Sequence, residues 1–335
     1  MTGNTMIMVL TGSKAILGEM RTPERLSSTA RAAARAAAGV RRRATGRAAV
    51  LPAVAVLLGC ALAACSGTPA AAEADKVAQT PAAVPIAHTE YRSPAPIRFG
   101  DATAGPSWLG KRVLPTGPQG FAAARQTPPE LRNRSIITVD YLPPPADGRF
   151  HATVRAVPAD VLARSSWTEK CPVAAADLRY LTVGFRGFDG RAHTGELLAN
   201  ARVADDLVTV FERLFAADFP IERMRISSAA RLNAPSTGDQ NTTEVFACRS
   251  VRGHQGWSQH AYGLAVDLNP FQNPYQKGKV VLPELATSYL DRADARPGMA
   301  LPREQAVQAF AAIGWKWGGD YRTLKDYMHF SASGG

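Results

Sequence analysis

The stretch Ser258-Gln259-His260-Ala261-Tyr262-Gly263-Leu264-Ala265-Val266-Asp267-Leu268 carries the most chemistry per residue in this chain. Gly263 permits a bend or a close backbone approach. Beyond it, Leu264 to Leu268 suits a strand with Asp267 on one face and Val266 and Leu268 on the other. A carboxylate is thus expected on a rigid strand, with a histidine just before it.

A second segment follows after Trp315-Lys316-Trp317-Gly318-Gly319-Asp320, namely Asp326-Tyr327-Met328-His329-Phe330. If the chain were helical there, the spacing of Asp326 and His329 would place both side chains on one side. Two imidazoles and one carboxylate are a sufficient set for a catalytic zinc with one position left for water. His260, Asp267 and His329 are the candidate ligands, and Asp326 is left to handle protons. Each also has a plain alternative. A lone histidine is usually a satisfied polar residue, and a strand aspartate often closes an ion pair.

The flanking chain reads as an α+β domain. Leu178 to Phe185 and Thr194 to Leu198 can pair as a hairpin across Gly187-Phe188-Asp189-Gly190. Val203, Leu207, Val210, Phe211, Leu214 and Phe215 recur at helical spacing, so Val203 to Asp218 is expected to be an amphipathic helix. Ile136 to Val139 and Ile221 to Ser227 have strand propensity. Pro302 to Ile313 reads as a second helix, with Gly314 past its end. The expectation is a small mixed domain with a central antiparallel sheet carrying the zinc ligands and flanking helices, over residues 135–335.

Upstream, Arg41-Arg42-Arg43 and Arg47 precede an apolar run from Ala48 to Ala61, then Leu62-Ala63-Ala64-Cys65. A basic segment, a short apolar run and small residues make an export signal over residues 1–65. Residues 66–134 are rich in Pro, Ala and Gly and read as a tether or an extension. The net charge of +11 is misleading about partners, because nine basic and two acidic residues stand at or before Cys65. Only +4 remains for the rest, which argues against a nucleic-acid partner. Of four cysteines, Cys171 and Cys248 are left for the exported part. They are either a disulfide or two buried thiols.

The longer pattern Ser-x-His-x-x-Gly-x-Ala-x-Asp, then Gly-Gly-Asp and Asp-x-x-His-Phe, resembles the VanY-type D-alanyl-D-alanine carboxypeptidases and their peptidoglycan-endopeptidase relatives. Their wider group includes lysostaphin and the hedgehog signalling domain. The resemblance runs over about Gly148 to Phe330 and takes in His193-Thr194-Gly195-Glu196 and Asn241-Thr242-Thr243. It implies zinc on His260, Asp267 and His329, with Asp326 as the catalytic acid–base. It also implies an arginine upstream of the first motif, for which Arg249 is the candidate, a surface ion pair being the alternative. Tyr321, Tyr327 and Ser331 depart from the residues common at those places in the family. Leu-Ala-Ala-Cys resembles a bacterial lipobox, which implies lipidation of Cys65 and anchoring to the outer face of a membrane. An ordinary signal peptide is the alternative.

The function so implied is hydrolysis of the peptidoglycan stem by an exported enzyme, as a carboxypeptidase or an endopeptidase of L-alanyl-D-glutamate type. Two other classes stand beside it, a zinc-containing wall-binding module without catalysis and a structural lipoprotein. Asp326 argues against the first, and the full set of four polar groups against the second.

Overall fold

A computed structural model describes residues 101–334, apart from 118–119 and 252–254. The export signal, Cys65 and His254 lie outside the described residues. Within them the chain mixes helices with antiparallel strands, the α+β class expected. The strands divide into three small sheets, where a single central one was expected.

The first sheet has the order β1-β2-β3, from Ala152–Ala156, Leu178–Arg186 and Ala192–Asn200. Strands β2 and β3 form the expected hairpin, in register from Leu178↔Asn200 to Arg186↔Ala192. The following helix (α2, Ala204–Ala216; the shorter α1 is Ala159–Arg164) buries Leu207, Val210, Phe211, Leu214 and Phe215. That is one stripe at helical period, and it packs on the apolar face of the hairpin through Leu181, Val183 and Leu197. Each such side chain contributes about 1.5–3 kcal/mol of burial.

Two further sheets complete the fold. One joins β4 (Ala265–Asp267), β9 (His329–Ser331) and β7 (Lys316–Trp317). The other joins β6 (Val280–Leu282), β5 (Tyr275–Lys277) and β8 (Lys325–Asp326). Helix α4 (Gln305–Ala311), which is shorter than the expected Pro302–Ile313, supplies Phe310. Its ring stacks on Phe330 of β9 with centroids 4.0 Å apart, and both rings join the core beneath α2.

Two expected strands are absent. Ile136 makes only an isolated bridge to Thr103, and Ile137 and Val139 are exposed, so nothing rewards a longer ladder. Ile221 to Ser227 is extended but meets its neighbours at single bridges, Pro220 to Arg186 and Met224 to Thr243.

The described residues between 101 and 134 are laced onto the domain. The Leu114 and Arg125 amides donate to the carbonyls of Ser236 and Glu284, at 2.8 and 2.9 Å. Thr127 Oγ1 donates to the Leu285 carbonyl at 2.6 Å. At its end Arg134 is fully buried, with Nε and Nη2 both 2.7 Å from the Glu222 carboxylate. Its Nη1 donates to the Asp239 carbonyl, and its amide to Tyr289 Oη. Breaking a buried pair strands the surviving charge, so Arg134→Ala is expected to cost about 3–5 kcal/mol in urea unfolding. A loss under about 1 kcal/mol would show that Glu222 finds another partner.

Candidate metal centre

His260 lies in a short 3-10 turn, Gln259–Tyr262, whose Ser258 hydroxyl caps it by accepting from the His260 amide. The turn ends on Gly263 at φ 68°, and a Cβ there would stand 2.6 Å from the Asn200 amide nitrogen. Only glycine fits both demands. This close approach seats the motif against the end of β3, where the Asn200 amide donates to the Gly263 carbonyl at 3.0 Å.

From there β4 runs antiparallel to β9, and Asp267 stands directly opposite His329. The pairing decides the geometry. His329 is therefore on a strand, and Asp326 is on another strand, opposite Tyr275. The helical condition under which the spacing of Asp326 and His329 was read is not met. The strand partners on either side override the local spacing, and Tyr327–Met328 carries the chain from one sheet to the next.

The structure brings His260, Asp267 and His329 together. His260 Nε2 is 3.2 Å from Asp267 Oδ1 and 3.3 Å from His329 Nδ1. The third side, His329 Nδ1 to Asp267 Oδ1, is 3.3 Å. These atoms form a near-equilateral triangle suited to one ion. Donors at about 2.0–2.1 Å from a tetrahedral zinc stand about 3.3–3.4 Å apart, so the triangle matches one face of that tetrahedron. The chemistry of the set agrees. His260 Nδ1 lies 2.7 Å from the Val245 carbonyl, which can only accept, so the proton sits there and leaves Nε2 as a lone pair.

The electrostatics fit a cation. Burial pushes His260 down and favours the neutral ring. Burial alone would raise Asp267, but His260 and then His329 outweigh it and hold the carboxyl well below the usual range. Burial also lowers His329, yet the hydrogen bond and charge of Asp267, with Asp326 adding, bring it out above its usual value.

Asp326 is half-buried, but its Oδ1 is shielded from solvent and has no hydrogen-bond partner. Burial first, then the charge of Asp267, push it up to about 7, against the opposing pull of His329 and Arg249. Unpartnered buried oxygens are rare, and one beside a ligand set suits a proton carrier. Arg249 places Nη2 4.0 Å from Asp267 Oδ2 and is partly exposed. It follows Cys248, which is bonded to Cys171. The Cys248 amide donates to Ser166 Oγ, so the residue before Arg249 is fixed from two sides.

His193 is not part of the centre. It is buried, with Nδ1 2.8 Å from Asp140 and Nε2 3.0 Å from Asp189. Trp315 and Trp317 are core, whereas Trp257 is exposed. The Trp317 indole N–H donates to the Tyr327 carbonyl, and Ser331 is buried in β9 opposite Ala265. Sequence reasoning missed Val245, which acts through its carbonyl and so leaves no residue-type signal. It also missed Glu244, whose backbone pairs with Asp267 while its carboxylate accepts from Ser227 Oγ at 2.9 Å.

Residues 252–332 match the family model described as D-alanyl-D-alanine carboxypeptidase. The match bears out the resemblance read from the two motifs, and its span holds all three triangle residues and Asp326. Arg249 and the β2–β3 hairpin fall outside it. No solved structure matches the chain.

Gly318 offers a test of the site's tightness. A Cβ there would stand 2.4 Å from the Asp326 carbonyl oxygen and 2.9 Å from its Cβ. Gly318→Ala is expected to displace Asp326 and lower peptidase activity at least tenfold while metal binding by the triangle is kept. Turnover and metal content of the purified variant check this; equal loss of both would mean that the substitution disrupts the whole centre.

Proposed function

We propose that this chain is an exported zinc peptidase that acts on the peptide stem of bacterial peptidoglycan as a D-alanyl-D-alanine carboxypeptidase. The observation that carries the reading is the triangle of His260, Asp267 and His329 with the unpartnered Asp326 beside it. The match at residues 252–332 supports it. Export is supported by the basic and apolar run before Cys65 and suits the Cys171–Cys248 bond, since disulfides persist in oxidising compartments. The lipobox-like Leu-Ala-Ala-Cys supports anchoring through Cys65.

In this reading His260 Nε2, His329 Nδ1 and one Asp267 oxygen hold the zinc. When bound, zinc supplies Lewis acidity to the scissile carbonyl and to the attacking water. Asp326 takes the water's proton as the new C–O bond forms and hands it to the departing amine as the C–N bond breaks. A carboxyl near 7 is matched to both halves of that task, and a cation close by draws it lower, so the base form prevails at neutral pH. Arg249 directs its guanidinium N–H groups to the carbonyl oxygen as that atom gains charge. Val245 keeps the His260 ring in the tautomer that leaves Nε2 free.

The decisive experiment incubates the zinc-loaded chain from Ser66 onward with peptidoglycan pentapeptide and cross-linked fragments, with mass spectrometry as the readout. Loss of one terminal alanine is expected, and Asp326→Asn should slow it about 10²–10⁴-fold while leaving zinc bound. Internal stem fragments would reassign the same centre to an endopeptidase. No cleavage by folded, zinc-bound protein would favour a binding module.

The raised His329 gives a second test. Zinc must displace the proton that the metal-free site holds there, so affinity should fall as pH drops through the His329 value, above about 6.5. Below that point the loss approaches about tenfold per pH unit. Calorimetry in two buffers of different ionisation enthalpy should show proton release on binding; a pH-independent affinity would contradict this ligand set.

A further inference from the structure

The extended segment after Pro220 alternates in burial. Glu222, Met224 and Ile226 are buried, and Arg223 and Arg225 lie on the other face. Arg164 at the end of α1 and Arg231 in the short helix α3 (Ala229–Leu232) converge on the same side. These four arginines, with Ile226, Ser228 and Thr242, line a cavity of about 240 Å³.

The carboxylates nearby do not balance these charges. Both oxygens of Glu196 are held by Arg164, at 2.7 and 2.5 Å. Glu244 is taken by Arg231. Both oxygens of Glu222 are taken by the buried Arg134, and Arg223 reaches that carboxylate only at 3.8 Å. Arg225 sits over the Tyr141 ring, 3.4 Å to its centroid, and has no ion pair among the described residues. The cavity wall thus carries about two guanidinium charges in excess. Arg231 shows the strain of this, since burial and then Arg223 and Arg225 push it down to about 10. One of its nitrogens, Nε, is buried without a hydrogen-bond partner. Such a wall is costly when empty and suits an anion with several acceptor oxygens.

The cavity also neighbours the metal centre. Thr242 stands two residues before Glu244, about 7 Å along an extended chain. Glu244 pairs with Asp267 across about 5 Å. The rim is therefore within about 12 Å of the ligands, three or four residues of an extended peptide.

We propose that this arginine-lined cavity is an anion subsite that binds a free carboxylate of the substrate peptide, a few residues from the bond that is cut. The proposal rests on the peptidase reading and adds to it what the substrate must carry. Carboxylate is the anion that a peptide offers, and the guanidinium forks match its two oxygens.

The test compares two stem pentapeptides that differ at one group, the α-carboxylate of D-isoglutamate or the carboxamide of D-isoglutamine. The zinc-loaded chain from Ser66 onward is expected to favour the acid in kcat/KM by about tenfold, with most of the difference in KM. Arg225→Gln should bring the ratio near one, and Arg225→Lys should restore part of it. A ratio near one in the parent, or one unchanged in both Arg225→Gln and Arg223→Gln, overturns the subsite. Calorimetry of the same peptides on metal-free protein separates the two readings. Tighter binding of the acid that Arg225→Gln abolishes, with no cleavage of either peptide by the zinc-loaded protein, leaves the subsite standing and sinks the peptidase. Equal binding of both peptides overturns the subsite whatever the turnover.

Discussion

The pairing of β4 with β9 is the constraint on which the rest depends. It sets Asp267 opposite His329 across two strands that are 62 residues apart in the chain. Adjacent antiparallel strands hold facing residues about 4.5–5.5 Å apart at Cα. Two candidate ligands on facing positions are therefore held within reach of one ion by backbone hydrogen bonds. The third ligand needs only the turn that precedes β4, and the left-handed Gly263 fixes that turn on the end of β3. A slip of one residue in this ladder would turn Asp267 or His329 to the opposite face. The core prevents it, because Val266 and Phe330 must both stay inside against Phe310.

Around that ladder the polar groups are arranged by a second run of chain, Thr243 to Arg249. Its Glu244 pairs with Asp267, its Val245 carbonyl orients His260, and its Ala247 amide donates to the His260 carbonyl. The run ends at the cysteine bonded to Cys171, next to Arg249. One short segment thus touches two residues of the triangle and carries the guanidinium that faces Asp267. Its residue types are unremarkable because most of the contacts come from its backbone.

This explains what could be read in advance. The triangle residues were legible because imidazole and carboxylate are among the few side chains that bind metal ions, and they stand in a long patterned motif. The hairpin and α2 were legible because their apolar periods are strong and their partners are near in sequence. The local geometry of Asp326 and His329 was not legible, since a three-residue spacing says nothing about strands whose partners, Tyr275 and Asp267, lie some fifty or sixty residues back. The strand expected at Ile136 failed for the complementary reason, as propensity without a partner yields only a bridge. The arginine cavity gave no linear signal, because Arg164, Arg223, Arg225 and Arg231 come from three separate elements.

The lacing of residues 101–134 over the domain bears on how the fold could be re-engineered. Leu114 holds Ser236, Arg125 holds Glu284, and Arg134 reaches Asp239 and Glu222. These anchors lie in, or next to, loops that come before the first histidine–aspartate motif (Glu222, Ser236, Asp239) and between it and the second (Glu284). A chimaera that imports one such loop while keeping the native strap would inherit a mismatched fastening. The portable module is the strap together with the loops, and the family-matched span alone would make a poor graft.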